Sequence, residues 1–327
     1  MISFRFHVVS ITAIFLAIAI GVVVGSTYVD GAVVDGLRSR IRTVEGNVSD
    51  ARDENARLEG ELDDAREYIG ASADFAVTDR LTDVPVMVVA ARGVDEAAVE
   101  QTVALARRAG GAVPGIVWLE PSWAAESDEE LDTLGSIVDA SASDDREDLW
   151  AEAWQRIADE LAAEETAERA PDDGVGDVGS GTGGGSVLGD LEAAGLITVD
   201  SLDDDTVSVT DLEGAAPRML FITGTRALEE IVPVVPIAVE ASVGGGLVTV
   251  LADVHVVADE APDRGEVVSA SLEDSVLEAI VVVDHADLEE GQVASVLALN
   301  SAAEGQVGVR YGFGAGADAV LPEWTAP

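Results

Sequence analysis

The sequence predicts three consecutive parts: an N-terminal transmembrane helix, a parallel coiled-coil stalk, and an α/β domain with a mostly parallel open sheet. Three observations support this fold class. A run of 22 uncharged residues lies at 8–29, a heptad repeat follows it, and short apolar runs then alternate with helical segments. We therefore expect an N-terminal tail at 1–7, the membrane helix at 8–29, the stalk at 30–70 and the head domain at 71–327.

The segment 8–29 is long enough to cross a membrane. At about 1.5 Å per residue it spans the roughly 30 Å hydrocarbon core. A cleaved signal peptide is the alternative, but its apolar core is about 7–15 residues long and ends in an A-x-A-like site. The small residues here are Gly25-Ser26-Thr27, a poor match. Arginines do not settle the orientation, because Arg5 precedes the segment and others follow it closely.

An apolar residue recurs every three or four positions from Val34 to Ile69, which is the heptad pattern of a coiled coil. β-branched residues dominate position a and leucine is the largest residue at d, which favours two parallel strands. We therefore expect a homodimer through the stalk; one amphipathic helix packed on its own domain is the alternative. The predicted dimer core consists of Val34, Leu37, Ile41, Val44, Val48, Asn55, Leu58, Leu62 and Ile69, with Ala51 and Ala65 at the remaining d positions.

Charged residues flank this core at positions g and e. In a parallel dimer, each g residue faces the e residue of the next heptad on the partner helix. The charges support this pairing only in part. The pairs are Arg40 with Glu45 and Glu61 with Arg66, which attract, and Glu54 with Glu59, which repel.

The composition excludes several classes of function. The chain has 63 acidic and 18 basic residues, a formal net charge of -45 and a pI near 4.1. Such a charge repels phosphates, so we expect no nucleic acid partner. The sequence contains no cysteine, which excludes disulfides, thiolate nucleophiles, iron–sulfur clusters and cysteine-ligated metals.

Short apolar runs rich in β-branched residues predict buried parallel strands in the head domain. Runs at 84–91 and 113–119 flank a helix that Asp95 can cap, which makes a strand–helix–strand unit. Together with the later runs they predict Rossmann- or flavodoxin-like layering. The later strands are expected at 220–223, 247–251 and 280–283. The later helical segments are expected at 226–243, broken by Pro233 and Pro236, and at 289–303.

The middle of the head domain has a different composition. Acidic helical segments predict an insert at 124–170. Residues 171–186 are rich in glycine and aspartate and cannot bury apolar surface, so they predict a flexible linker.

Both ends of the chain resemble one family. The opening MISFRFHVVSITAIFLAIAIGVVVGS and the closing VVVDHADLEEGQVASVLALNSAAEGQVGVRYGFGAGADAVLP resemble the actinobacterial MctB-type copper transport proteins. That family usually has Asp-Asn where this chain has Asp284-His285, and His-Tyr-Gly where it has Arg310-Tyr311-Gly312. The resemblance implies copper transport or homeostasis by a single-pass plasma membrane protein whose head lies outside the cytoplasm. A SteB-like branch of the family implies instead a dimeric scaffold for a division or cell-wall-hydrolysis partner.

Few residues of the chain suit copper, which binds sulfur as Cu(I) and clustered imidazoles as Cu(II). The three methionines and three histidines form no M-x-x-M or H-x-H pattern. The best candidate ligands are Asp253 and His255 after one predicted strand and Asp284 and His285 after another, because open α/β sheets bind ligands at the carboxyl ends of their strands. Loop residues with local hydrogen bonds are the simpler interpretation. We expect no cofactor, since copper is implied by the resemblance alone.

The sequence carries no catalytic motif. It lacks G-x-S-x-G, paired histidines with a glutamate at helical spacing, and the lysine of a Walker loop. Residues 312–316 match G-x-G-x-G, but no strand–turn–helix unit follows them, so a turn that seats residues 321–324 is expected instead. We therefore predict that the protein is not an enzyme.

Overall fold

The computed structural model describes residues 4–139, 145–162, 186–202, 212, 215–224, 228, 231–255, 278–314 and 316–323, without the side chains of 26–33. The chain divides into two compact units, Met1–Glu67 and Tyr68–Pro327. Helix α1 (Phe4–Val77) has 74 residues and contributes to both units. No proline occurs before Pro85, so every residue of α1 has a backbone N–H donor.

The second unit is an α/β domain. Its strands are β1 (Val86–Ala91), β2 (Gly115–Leu119), β3 (Ile197–Ser201), β4 (Arg218–Thr223), β5 (Thr249–Asp253), β6 (Val281–Val283) and β7 (Arg310–Tyr311). Its further helices are α2 (Glu96–Arg108), α3 (Asp128–Ile137), α4 (Arg146–Ala162), α5 (Val187–Ala193), α6 (Val235–Val243) and α7 (Glu289–Ala303), with a 3₁₀ turn at Pro121–Ala124.

The seven strands form one mixed sheet in the order β3-β2-β1-β4-β5-β6-β7. Every neighbouring pair is parallel except β2 with β3, which is antiparallel. β1 is buried along its whole length, as expected for a parallel strand that is covered on both faces. The predicted α/β domain with a mostly parallel sheet is therefore confirmed.

Two apolar clusters lie on opposite faces of this sheet. Because side chains of a strand alternate between faces, Met87 and Val89 of β1 belong to one cluster, whereas Val86 and Val88 belong to the other. Helix α4 contributes to the first cluster, and α2 and α7 contribute to the second. Both faces of the sheet are thus covered by helices.

Helix α2 begins as the sequence predicts. The side chain of Asp95 accepts a hydrogen bond from the backbone N–H of Ala97 at 3.0 Å, which satisfies a donor that the helix leaves free at its N-terminus. The helical segment expected at 226–243, broken by Pro233 and Pro236, is interrupted at 232–234, and its second part, α6, begins at Val235 with Pro236 in its first turn. Residues 225–227 and 229–230 lie outside the described residues.

The acidic helices between 124 and 170 contribute to the core. Trp150 of α4 is buried and donates its ring N–H to the carbonyl oxygen of Trp123 at 2.9 Å. Trp154 packs edge-on against Phe221 of β4, with ring centroids 5.3 Å apart. Helix α4 therefore buries its tryptophans in the core, while its acidic residues lie on the opposite, outer side. The predicted linker at 171–186 lies outside the described residues, apart from Ser186.

Candidate functional site

Three of the four candidate ligands meet at the carboxyl ends of β5 and β6. Asp253 is the last residue of β5, and Asp284 and His285 directly follow β6. The carbonyl oxygen of Asp253 accepts a hydrogen bond from the backbone N–H of Ala286 at 2.9 Å, which ties the two strand ends together. All three side chains are buried, with exposed fractions of 1%, 5% and 0%. Three buried titratable groups therefore lie at neighbouring strand ends of the sheet.

The carboxylate of Asp284 holds the glycine-rich loop that follows β7. Its two oxygens accept hydrogen bonds from the backbone N–H groups of Phe313 at 2.9 Å and Gly314 at 2.8 Å. Gly312 approaches so closely that a Cβ atom there would lie 1.7 Å from the nearer carboxylate oxygen. The loop therefore needs a glycine at 312 for a steric reason, and its G-x-G-x-G pattern serves this close approach.

Two opposing effects act on the ionisation of Asp284. Burial by itself raises the pKa of its carboxyl group, because it disfavours the charged form. Contact with His285 and the two backbone donors of the loop lower the pKa by more than burial raises it, so the net pKa lies below its ordinary value. Asp284 is therefore ionised at neutral pH, and both of its carboxylate oxygens are bonded to the backbone of the loop.

His285 lies behind the same loop. Its imidazole ring packs edge-on against Phe313, with ring centroids 4.8 Å apart. Its Nδ1 is 3.4 Å from the nearer oxygen of Asp284, and neither ring nitrogen makes a well-oriented hydrogen bond within the described part of the chain. A buried polar group of this kind is expensive, costing about 1–3 kcal/mol. The imidazole is therefore held by packing and by its position between the strand end and the loop.

His255 takes part in a different contact. It is half-buried, and its backbone N–H donates to the carboxylate of Asp287 at 3.2 Å. Among the residues that the structure describes, no group of three His, Cys, Asp or Glu side chains could hold a metal ion. The four predicted residues therefore form no complete metal site there, and both oxygens of Asp284 already bind backbone donors.

The two methionines of the head, whose thioether sulfurs are potential Cu(I) ligands, lie in the core. Met87 of β1 and Met219 of β4 are register partners on neighbouring strands, and both are buried in the first apolar cluster. Methionine at such positions fills apolar space. The sequence predicts Met87 within a strand and Met219 just before one, and no sequence pattern indicates that the two are register partners.

The usual ligand crevice of an open α/β sheet is filled by an aliphatic side chain. Such crevices form where the connections diverge, which here is between the carboxyl ends of β1 and β4. Gly93 and Gly224 lie at these two ends, and a Cβ atom on either would come within 3.1 Å or 2.9 Å of Leu228. Leu228 packs against both apolar clusters. A ligand at this crevice would have to displace it.

The Arg310 and Tyr311 positions of the closing motif act through their backbone. Arg310 donates its N–H to the carboxylate of Asp318 at 3.0 Å and accepts the N–H of Asp318 at 2.8 Å. Tyr311 pairs with Ala319 in an isolated bridge. The segment after the loop therefore returns along β7 and covers the sheet edge. An arginine side chain at 310 leaves these backbone contacts intact.

Within unit Met1–Glu67, the N-terminal part of α1 is a candidate membrane anchor. Phe4–Gly25 is 22 residues long and, by length and composition, is the one helical segment among the described residues that could cross a membrane. Its apolar side chains are exposed. Exposed valine, isoleucine and phenylalanine over this length require an apolar environment, which a bilayer supplies.

Comparison with known proteins relates this architecture to one family. A family model described as "Copper transport outer membrane protein, MctB" matches residues 1–322. Proteins named copper transporter MctB from Mycobacterium bovis and from two strains of Mycobacterium tuberculosis are 30% identical to the chain over 341 aligned positions. The alignments cover 98% of this chain and 99% of each relative.

Proposed function

The chain belongs to the MctB copper transport family, and on that premise we propose that it is a membrane-anchored copper transport protein. The observation that carries the proposal is the extent of the match, which includes the N-terminal helix, the stalk and the head together. Copper is its cargo in this proposal and no resident cofactor is required. The family is named for transport, which agrees with a chain that carries no recognised catalytic motif.

We propose that α1 is retained as a single-pass anchor in the plasma membrane and that the head lies outside the cytoplasm. The exposed apolar length of Phe4–Gly25 supports an anchor. The family resemblance supports the position of the head outside the cytoplasm. Parallel coiled-coil pairing of the stalk and doubly wound layering of the head complete the proposed architecture.

Transport by this chain requires an assembly. One transmembrane helix cannot enclose a pore, since a pore needs several helices or a closed barrel around it. The described part of the head offers no three-ligand metal site, so its contribution is better explained by protein contacts than by tight copper binding. We therefore propose that the head acts on copper together with other chains. No specific observation favours the SteB-like scaffold as a separate function.

Copper content of cells is the direct test. We expect cells that lack the chain to accumulate several-fold more copper under copper load than cells that carry it, because the family resemblance implies export or homeostasis. Total copper and zinc should be measured by mass spectrometry, with zinc as the matched control. A version without residues 1–25 that is still exported should not restore copper content. Equal copper content with and without the chain would refute the proposal.

Protease accessibility tests the anchor and the side of the head. In spheroplasts with a C-terminal tag on the full chain, added protease should remove the tag, while a cytoplasmic marker stays intact. The protein should fractionate with the plasma membrane and start at or near Met1. Protection of the tag until lysis would place the head in the cytoplasm. A mature chain that begins near Thr27 would show that the N-terminal helix is a cleaved signal.

A further inference from the structure

One side of α1 is apolar along most of the stalk, and the described structure leaves it uncovered. The residues at positions a and d are largely exposed; Leu37, Val44 and Leu58, for example, expose 57%, 59% and 48% of their surface. A row of such residues over five heptads is too regular for a solvated helix face. It requires an occupant of matching pattern and length.

The apolar side of α1 is occupied differently within the second unit. There Ala73 and Val77 are buried in the second apolar cluster, and Ala76 packs against it. The heptad repeat of the stalk, continued at the same spacing, assigns Ile69 and Ala76 to position a and Ala73 to position e. Ile69 is half-buried. Positions a and e from Ile69 onward are thus covered by the head of the same chain.

Positions on the other side of this last part of α1 remain in solvent. Tyr68 and Phe75, both at position g, expose 75% and 79% of their surface. A second helix packed in register would have to contact position a as well as position g. Because position a already packs on the head, the coiled-coil geometry cannot continue past this point.

The charges beside the exposed part of α1 also fit a like partner. Arg57 donates to Glu54 at 2.9 Å and also forms an ion pair with Glu61, so both g-position glutamates are neutralised on their own helix. This reduces the repulsion expected between Glu54 and Glu59 of a parallel partner, and it reduces the attraction between Glu61 and Arg66 in the same way. The one unfavourable pair of the heptad pattern is thereby weakened without a change of register.

We propose that the occupant of the exposed apolar side of α1 is a second copy of this chain, parallel and in register, and that the shared seam ends at Ala65 because each head covers its own helix from Ile69 onward. The inference rests on the stalk dimer of the proposed function and adds where the dimer seam ends. A parallel second copy is favoured because both chains leave the same membrane face, and Asn55 at position a can pair with its twin.

Disulfide trapping in the full chain tests this seam, because the chain has no cysteine of its own. Leu58→Cys, Ala65→Cys and Ser72→Cys each place a thiol at position d, and Asp53→Cys places one at the outward position f. In detergent or native membranes, diamide should give at least about five-fold more covalent dimer for Leu58→Cys and Ala65→Cys than for Ser72→Cys or Asp53→Cys. A disulfide needs Cβ atoms about 4 Å apart, which only the seam provides.

Each other outcome overturns part of the inference. Equal trapping of Leu58→Cys and Asp53→Cys, or no trapping at Leu58→Cys, would exclude a parallel second copy. Strong trapping at Ser72→Cys would show that the seam continues past Ile69, and none at Ala65→Cys would show that it ends earlier. Serine to cysteine is nearly isosteric, and tryptophan fluorescence verifies that the head is folded. The assay needs no copper, so a negative copper-content experiment would leave this result unaffected.

Discussion

Replacing Gly291 with alanine should destabilise the head by about 3 kcal/mol, the upper part of the usual range for overpacking. A Cβ atom at this position of α7 would lie 1.8 Å from the carbonyl oxygen of His285 and 2.8 Å from the backbone nitrogen of Ala286. Backbone atoms cannot rotate aside as a side chain can. This overlap could be relieved only if α7 moved away from the segment after β6, where the backbone N–H of Ala286 is hydrogen-bonded to Asp253.

The measurement is urea unfolding of the full chain followed by tryptophan fluorescence. All five tryptophans lie at or beyond position 118, so the signal reports on the head. Gly189→Ala is the matched control, because Gly189 also lies in a helix but has open space where its Cβ would be. This change should stabilise the head by about 0.5–1 kcal/mol through helix propensity. Equal unfolding midpoints for the two variants would show that the contact between α7 and His285 is not close in solution.

The strands and helices of the head differ in how well the sequence predicts them. Strands β1 and β2 were predictable because they are apolar on both faces, and α7 was predicted with the bounds it has. Strand β3 was missed because its outer residues are polar and exposed, as suits an antiparallel edge. Strand β7 has two residues, too few for a periodic pattern. Periodicity finds buried elements and gives little information about edges.

The candidate site was predictable in position but not in its contacts. Parallel strands bring their carboxyl ends to one edge, so the meeting of Asp253 with Asp284 follows from topology. The loop that binds Asp284 lies 29 residues further on, at Phe313, and no local pattern connects the two. The cluster of glycines at 312–316 was the available signal, because glycine permits a close backbone approach. Its target could be found only in three dimensions.

For the stalk, the sequence predicts an apolar side of the helix but not what covers it. The heptad spacing predicted which side of α1 is apolar, and that side extends from Val34 to Ile69 in the sequence. Spacing alone could not distinguish a second copy from the protein's own head as the cover. The structure shows that Ala73 and Val77 are buried by the head, whereas Leu58 is exposed. Burial, which depends on the whole fold, supplies the information that a repeat lacks.

Replacing Asp284 with asparagine should cost about 3 kcal/mol at neutral pH, in line with a lost hydrogen bond to a buried charged group. The carboxylate accepts two backbone N–H groups, from Phe313 and Gly314, whereas an amide has one acceptor oxygen and turns an N–H donor toward the other. Urea unfolding with the same fluorescence signal measures the loss. Asp318→Asn is the control, because Asp318 accepts a single exposed bond from Arg310 and should change stability by about 1 kcal/mol or less.

The effect of Asp284→Asn should also depend on pH in a direction fixed by the pKa of Asp284. Because the folded pKa is below its ordinary value, the unfolded chain binds more protons in acid, and folding is favoured as pH rises. The stability due to this carboxylate is complete above the unfolded pKa of about 3.9 and disappears as pH falls through the folded pKa. The stability difference between the native chain and Asp284→Asn should therefore stay constant from pH 7 to 5 and shrink below about pH 4. A difference that grew in acid would mean that burial, rather than the loop donors and His285, controls the ionisation of Asp284.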